Sequence, residues 1–304
     1  MAVARLAVEA MTVRGRRIIW GERTYLMAVV NATPDSFSGD GIADDTGEAV
    51  RLGLVAEAAG VDIIDVGGES TRPGASPVSA DEEIHRVLPV IRALRDRMEL
   101  PISIDTSKAA VAAAALDAGA DMINDVWGLG ADPALAALAA RRNVPVVIMH
   151  NASDPSRVLA QEGVGAHYAP ISSADVVADV ARGLQTAVAR ARRAGIADNM
   201  VIVDPGIGFG KSLSQNLELL DRIGELRAIG LPLLIGPSRK SFIGLTLDVL
   251  PSERLEGTAA AVAVAIARGA DMVRVHDAAV MARVARMADA IVRRPAPDSA
   301  SCRR

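Results

Sequence analysis

Short hydrophobic runs alternate with longer amphipathic stretches along most of this chain. The runs are rich in branched residues and lack regular polar alternation, which is typical of strands buried on both faces. We predict eight strands, at Tyr25–Asn31, Asp62–Val66, Ile102–Asp105, Met122–Asp125, Pro145–Met149, Met200–Val203, Leu231–Ile235 and Met272–Val275. The alanine- and leucine-rich stretches between them predict eight helices, at Gly47–Ala59, Asp81–Met98, Lys108–Ala118, Pro133–Arg141, Ala174–Ala194, Leu213–Arg227, Arg254–Arg268 and Ala278–Val292.

The regular alternation predicts an α/β fold. Glycine stands at the junction from helix to strand at Gly60, Gly119 and Gly269, so these loops are short, whereas the strand-to-helix loops are longer. This pattern favours a closed (β/α)8 TIM barrel over the alternative, an open doubly wound sheet. We therefore predict a short N-terminal hairpin in residues 1–23, a barrel domain in residues 24–293 and a disordered tail in residues 294–304.

Composition narrows the functional classes. The chain has 304 residues, half of them hydrophobic, which is enough for a large core. A net charge of −4 without a basic stripe argues against nucleic acid as a partner. No apolar run reaches membrane-spanning length, and the single cysteine, Cys302, lies in the polar tail. We expect a cytoplasmic protein that has no membrane partner, disulfide or thiolate metal site.

The stretch with the most chemical content is MVIVDPGIGFGK, residues 200–211. Asp204 ends a buried strand, and three alternate glycines follow it, which would let another molecule approach the main chain. A phosphate-binding P-loop is excluded, because Pro205 stands where that pattern needs glycine. A dinucleotide-binding turn is excluded because the third glycine is wrongly spaced. The structural alternative is a loop whose glycines serve only to turn the chain.

Polar side chains follow every predicted strand, whereas the loops on the other face carry mostly Gly, Ala and Pro. Charges near a core are unfavourable unless a ligand or partner satisfies them. One group of acceptors with one cation suits a flat heterocycle that presents N–H donors; it consists of Asp105, Asn124, Asp204 and Lys240. A second group, rich in donors and positive charge, suits a phosphate or pyrophosphate; it consists of Asn31, Arg72, Arg274 and His276. Structural roles explain Asp35, Asp125 and His150 better.

Seven motifs along the chain carry a family resemblance. They are NATPDSFS, GGESTRPGA, SIDT, INDV, DPGIGFGK, SRKSFIG and RVHD, and they span about residues 25–280. In this order and spacing they resemble the dihydropteroate synthases, the folate-pathway enzymes that sulfonamides inhibit. The resemblance implies a transferase that moves a pterin methyl group to an arylamine. It would join 6-hydroxymethyl-7,8-dihydropterin pyrophosphate to p-aminobenzoate with help from Mg²⁺, releasing 7,8-dihydropteroate and pyrophosphate, and it would be a homodimer.

The resemblance also implies a role for each matching residue. The pterin would be bound by Asp105, Asn124, Asp204 and Lys240. Pyrophosphate would be bound by Asn31, Arg72, Arg274 and His276, with Asn31 also the metal ligand; with Lys240 these four form the catalytic set. The p-aminobenzoate pocket would be bounded by Phe37, Thr71, Pro73 and Ser238. No general base is expected, because an arylamine is already uncharged at neutral pH.

Three alternatives stay open. A pterin-dependent methyltransferase would not need the Ser-Thr-Arg-Pro-Gly loop, a non-catalytic pterin-binding paralogue would be expected to have lost anion-binding residues, and a generic phosphate-binding barrel would not explain the acidic strand ends. The sequence departs from the family at Trp127 and in the long, irregular stretch from Asn151 to Ser173. Loops 34–46 and 67–79 are rich in Gly, Ser, Asp and Pro, so we predict that both are mobile without ligand.

Overall fold

The computed structural model describes residues 9–32, 46–161, 165–170 and 172–293. The strands are β1 (Met11–Val13), β2 (Arg16–Ile18), β3 (Tyr25–Asn31), β4 (Ile63–Gly67), β5 (Ile102–Asp105), β6 (Met122–Asp125), β7 (Val146–Met149), β8 (Val158–Gln161), β9 (Gly165–Tyr168), β10 (Val201–Asp204), β11 (Leu234–Ile235) and β12 (Met272–Val275). The α-helices are α1 (Thr46–Ala58), α2 (Ala80–Arg95), α3 (Ala109–Asp117), α4 (Pro133–Arg142), α5 (Val176–Arg193), α6 (Leu213–Arg222), α7 (Ser241–Leu247), α8 (Leu255–Ala267) and α9 (Ala278–Val292). Three short 3-10 helices lie at Asp198–Met200, Ile223–Ile229 and Pro251–Glu253.

Eight of these strands form one parallel sheet that closes on itself. From β3 to β7 each strand pairs with the next, β7 pairs with β10, β11 pairs with β12, and β12 returns to β3. A single parallel bridge between Val203 and Leu233 joins β10 to the start of the β11 segment and completes the ring. The predicted (β/α)8 TIM barrel is therefore confirmed, and the open doubly wound sheet is wrong.

Local sequence signals explain several helix ends. Asp132 precedes α4 and accepts a hydrogen bond from Ala134 N at 2.9 Å, with Pro133 at the first helical position. Ser212 and Gln215 form a reciprocal capping box at the start of α6, with hydrogen bonds of 3.1 and 2.8 Å. These caps pair backbone N–H groups that have no partner inside the helix.

The predicted N-terminal hairpin is confirmed, and it seals one end of the barrel. β1 and β2 pair antiparallel, with Met11 opposite Ile18. Their apolar side chains and Trp20 are buried in a cluster with residues towards the amino-terminal end of the barrel, called the lower layer below. These are Tyr25, Met27, Ile63, Met122, Val147, Ile202, Leu234 and Met272. The amino-terminal end of the barrel is therefore a packed apolar plug, and the opposite end remains for a ligand.

Two elements differ from the sequence-based expectation. The described residues contain nine α-helices, because the seven-residue α7 follows Lys240 in a stretch too short to show a helical period. The stretch from Asn151 to Ser173 is not wholly irregular, since β8 and β9 pair antiparallel within it. Their short, partly exposed strands give no clear burial pattern. The predicted tail in residues 294–304 lies outside the described residues.

Candidate active site

At the carboxyl end of the barrel, two of the predicted pterin residues, Asp204 and Lys240, lie with Arg274 around Gly236. A Cβ atom placed on this glycine would lie 3.8 Å from Arg274 Cβ and 4.0 Å from both Asp204 Oδ2 and Lys240 Nζ. These side chains come from β10, β12 and the segment after β11. A side chain at position 236 would therefore occupy the space on which they converge.

Asp204 and Lys240 form the most polar part of this mouth. Asp204 is buried and accepts a hydrogen bond from Gly206 N at 2.7 Å. Burial raises the pKa of Asp204, and the Lys240 charge opposes that change. Lys240 Nζ donates to Ile207 O and lies 4.6 Å from the centre of the Phe209 ring. Burial lowers the pKa of Lys240 to about 8 against the attraction of Asp204.

A second network joins strands β4, β5, β6 and β12 and includes a residue that the sequence analysis missed. Asp65 on β4 is fully buried, and its Oδ2 accepts from Arg274 Nε at 2.6 Å and from Asn124 Nδ2 at 3.0 Å. Arg274 also donates from Nη2 to Asp105 Oδ2 at 2.6 Å. The sequence did contain a signal for Asp65. It is a charged residue inside the run IIDV, where a strand buried on both faces normally carries apolar side chains.

This network changes the grouping that the sequence suggested. Arg274, assigned from its sequence to the anion-binding group, places its guanidinium between Asp65 and Asp105, inside the acceptor group. Burial raises the pKa of Asp105 to about 7; Arg274 opposes this, and Asp65 adds to it. Among the described residues, Asp65 Oδ1 has no hydrogen-bond partner, although it is buried. The site therefore offers a desolvated acceptor next to Arg274 and Asn124.

The remaining residues of the predicted anion site lie on the neighbouring side of the mouth. A Cβ on Gly67 would lie 3.4 Å from Asn31 Oδ1 and 3.5 Å from Asp105 Cβ, so Asn31 is close to the acidic network. His276 Nδ1 lies 3.0 Å from Ser238 Oγ, which also accepts from His276 N at 3.2 Å.

His276 differs electrostatically from the expectation. Burial lowers the pKa of His276 to about 3, with further contributions from Arg274, Arg239 and Arg72. At neutral pH it is therefore an uncharged hydrogen-bonding group in this structure, rather than one of the positive charges expected from the sequence.

The loop after β4, residues 68–79, carries Thr71, Arg72 and Pro73 and has anchors that its composition does not reveal. Thr71 and Pro73 are partly buried, and Arg72 is exposed. At the loop's ends, Glu69 accepts from Val78 N at 3.0 Å and pairs with Lys108 at 2.6 Å. Phe37 and residues 34–45 of the other predicted mobile loop lie outside the described residues, and Thr46 begins helix α1.

Asp125 has the structural role that the sequence suggested. It accepts from Trp127 N at 2.9 Å and Leu129 N at 2.5 Å, which shapes the turn after β6. His150 packs against Gly183 of α5, where an added Cβ would lie 2.3 Å from the imidazole. Asp35, the third residue given a structural interpretation, lies outside the described residues.

The glycines after Asp204 serve the protein's own packing more than the sequence suggested. An added Cβ would lie 2.1 Å from His150 O at Gly206 and 2.2 Å from Ala152 O at Gly210, and both residues have positive φ. At Gly208 it would lie 3.0 Å from Lys240 Cδ. The space that the sequence assigned to a ligand is thus filled by backbone and by Lys240.

Lys211 is turned into the protein, which agrees with the exclusion of a P-loop. Its buried Nζ donates to Gly206 O at 2.8 Å and to Phe209 O at 3.1 Å. Burial lowers its pKa to about 7, and Asp204 acts in the opposite direction. Lys211 therefore braces the loop instead of facing a phosphate.

Comparisons with known proteins agree with this geometry. The family model described as pterin binding enzyme matches residues 27–276. Dihydropteroate synthase of Synechocystis sp. is 44% identical over 275 residues, covering 90% of this chain and 92% of the relative. Solved dihydropteroate synthases from Yersinia pestis, in complex with a sulfonamide drug, and from Xanthomonas albilineans, with 4-aminobenzoic acid, have TM-scores of 0.85 and 0.83. Their identities are 38% and 40%, and they cover 93% and 95% of this chain and 99% and 100% of their own. The chain therefore belongs to the pterin-binding enzymes, and among them to the dihydropteroate synthases.

Proposed function

We propose that the barrel mouth carries out the dihydropteroate synthase reaction with the residue roles that follow. In this reaction the arylamine nitrogen of p-aminobenzoate forms a bond to the methylene carbon of 6-hydroxymethyl-7,8-dihydropterin pyrophosphate. The carbon–oxygen bond to pyrophosphate breaks, and the amine loses a proton. The observation that carries the proposal is the convergence of Asp204, Lys240 and Arg274 around Gly236.

The pterin end of the site is the acidic network. Asp105, Asn124 and Asp204 supply carboxylate and amide oxygens in a desolvated setting, where charge-assisted hydrogen bonds to ring N–H groups are strong. Lys240 supplies a donor for a ring carbonyl or nitrogen. Asp65 contacts Arg274 and Asn124 directly and orients both.

The leaving-group end combines Asn31, Arg72 and His276 with Arg274, which serves both ends of the site because its guanidinium also pairs with Asp65 and Asp105. The hard step is departure of pyrophosphate, so donors that meet its growing charge contribute most, and loss of one typically costs about 10²–10³ in rate. His276, uncharged in this structure, can gain a proton when an anion is bound nearby, because a neighbouring negative charge favours the imidazolium form. The arylamine pocket consists of Phe37, Thr71, Pro73 and Ser238.

Mg²⁺ fits this site as a substrate-borne ion. Within the described ranges no cluster of three or more His, Cys, Asp or Glu side chains could hold a metal on its own. Mg²⁺ characteristically uses one or two protein oxygens together with phosphate oxygens and water. Asn31, with its amide oxygen beside Gly67, would be the protein ligand, and the ion would neutralise charge on the pyrophosphate.

We also propose a homodimer in the cytoplasm. Three apolar side chains on or next to helices α7 and α8 are about half exposed, which suits an apolar face covered by a second copy of the chain. They are Leu247, Leu250 and Val264.

The composition, with one cysteine, suits a reducing compartment. None of the helices in the described part of the chain is long and apolar enough to cross a membrane. Light scattering of the protein and of a Val264→Asp variant tests the dimer, and cell fractionation tests the location.

The direct test measures the reaction. Purified protein mixed with the pterin pyrophosphate, p-aminobenzoate and Mg²⁺ should release pyrophosphate and form dihydropteroate in equal amounts, and EDTA should abolish both. If no product forms while a methylated folate binds tightly, the pterin-dependent methyltransferase becomes the better assignment. Pterin binding without turnover would indicate a non-catalytic paralogue.

A further inference from the structure

The β8–β9 hairpin, which the sequence did not predict, contributes one side chain that lies between the two substrate regions. Tyr168, at the end of β9, is largely buried. Its ring stacks on Phe209 with the ring centres 6.3 Å apart and the planes 26° from parallel. Its hydroxyl donates a hydrogen bond to Thr71 O at 3.1 Å. A single residue thus contacts both the glycine loop after β10 and the loop after β4.

The Phe209 side of this contact leads to the pterin end. The Lys240 ammonium lies 4.6 Å from the Phe209 ring centre, on an aromatic side chain that also packs with Tyr168. Val126 and Met149 complete the apolar cluster with these two rings. Tyr168 therefore packs against the aromatic ring that borders Lys240.

The Thr71 side leads to the arylamine end. Glu69 and Val78 anchor the two ends of the loop after β4, and Tyr168 anchors its middle, next to Arg72 and Pro73. β8 supports the same region, since an added Cβ on Gly74 would lie 3.9 Å from Val158 Cγ1. Burial raises the pKa of the Tyr168 phenol. The hydroxyl therefore keeps its proton at neutral pH and can donate it to the Thr71 carbonyl.

We propose that Tyr168 is a positioning residue for the arylamine: through its hydroxyl it holds the Thr71 carbonyl, and with it the Thr71–Pro73 wall, in register with the Phe209–Lys240 side of the site. The proposal rests on the proposed function. In this role Tyr168 acts through the loop wall and takes no part in forming or breaking bonds. Its loss should weaken p-aminobenzoate binding without slowing the chemical step.

The test compares two phenol deletions. Tyr168→Phe keeps the ring and its stacking and removes only the hydroxyl. Tyr25→Phe is the matched control, because its hydroxyl also bonds backbone, at 2.7 Å to Ile19 N and 3.2 Å to Ile19 O, at the plugged end of the barrel. Both tyrosines in the chain are thus used. Steady-state kinetics are measured for each substrate, with thermal midpoints for both variants.

For Tyr168→Phe the KM for p-aminobenzoate should rise about three- to tenfold, the range that corresponds to one net hydrogen bond. Its kcat and its KM for the pterin pyrophosphate should stay within about twofold, and Tyr25→Phe should match the wild type in all three. Unchanged arylamine KM in Tyr168→Phe, or the same kinetic loss in both variants, overturns the inference. If the wild type itself forms no dihydropteroate, the proposed function fails instead.

Discussion

The two ends of the barrel are built from the same strands and have opposite chemistry. On four strands, an apolar inward-facing side chain is followed two residues later by a polar or charged one. The pairs are Ile63 and Asp65, Met122 and Asn124, Ile202 and Asp204, and Met272 and Arg274. Because side chains alternate along a strand, both members of each pair point into the barrel. The lower members pack with the N-terminal hairpin, and the upper members supply polar groups to the open end of the barrel.

The two layers divide stability from function. The lower layer is apolar and complete in itself, so its burial stabilises the fold. The upper layer holds carboxylates with raised pKa values, which means that their charged forms are disfavoured without a ligand. Substitutions in the lower layer should therefore change unfolding, and those in the upper layer should change binding.

The largest effect is expected from Asp204→Asn. The change replaces an acceptor by a donor where two N–H groups of the pterin are proposed to bind, and each charge-assisted bond is worth roughly 1.5–3 kcal/mol. Pterin affinity by calorimetry should fall roughly 10²-fold or more, while the thermal midpoint stays similar or rises. The control is Ile202→Val on the same strand, which should cost about 0.5–1.5 kcal/mol in stability and leave affinity unchanged. Near wild-type pterin binding by Asp204→Asn would make this carboxylate structural.

Strand β6 allows the comparison within one element. Met122→Ala should lower the free energy of unfolding by about 2–5 kcal/mol, because it opens a cavity in the plug, with KM for the pterin substrate unchanged. Asn124→Ala should raise that KM, because it removes an amide from the site. Urea denaturation and steady-state kinetics on both variants measure the contrast. The two-layer division is refuted if Asn124→Ala alters only stability.

The upper layer should also respond to its ligands. Arg72 and His276 interact most favourably when a multivalent anion lies opposite them. Arg72 also shares its loop with Thr71 and Pro73. A sulfonamide should therefore bind at least about tenfold more tightly when pterin, pyrophosphate and Mg²⁺ are present, a coupling of about 1.4 kcal/mol. Titrations with and without these components decide it. Equal affinities would show a preformed arylamine pocket.

The last prediction concerns acid stability. The pKa of His276 falls from an ordinary 6.5 to about 3 on folding, so between these pH values the unfolded chain binds a proton that the folded protein does not. The His276 contribution is therefore lost as pH falls from 6.5 towards 3. Relative to His276→Gln, the wild type should lose up to about 1.4 kcal/mol per pH unit in this window. Urea denaturation from pH 7 to 4 checks it, and parallel curves would contradict the uncharged imidazole.

The barrel could be predicted from the amino-acid sequence alone, because the signals for its strands and helices are local and repeated. Strands such as Tyr25–Asn31 and Ile102–Asp105 have the predicted bounds, since buried runs and glycine stops act within a few residues. The position of polar residues after each strand likewise predicted which end holds the site. Asp105, Asn124, Asp204 and Lys240 could be grouped for that reason.

The side-chain pairs between distant segments could be identified only from the tertiary structure. Arg274 meets Asp65 and Asp105 from strands far apart in the chain, and the Tyr168 hydroxyl reaches Thr71 across two loops. Such pairings depend on distances set when the sheet closes, and no periodicity within one segment encodes them. The same holds for the charge of His276, because burial and three arginines from separate segments remove its proton.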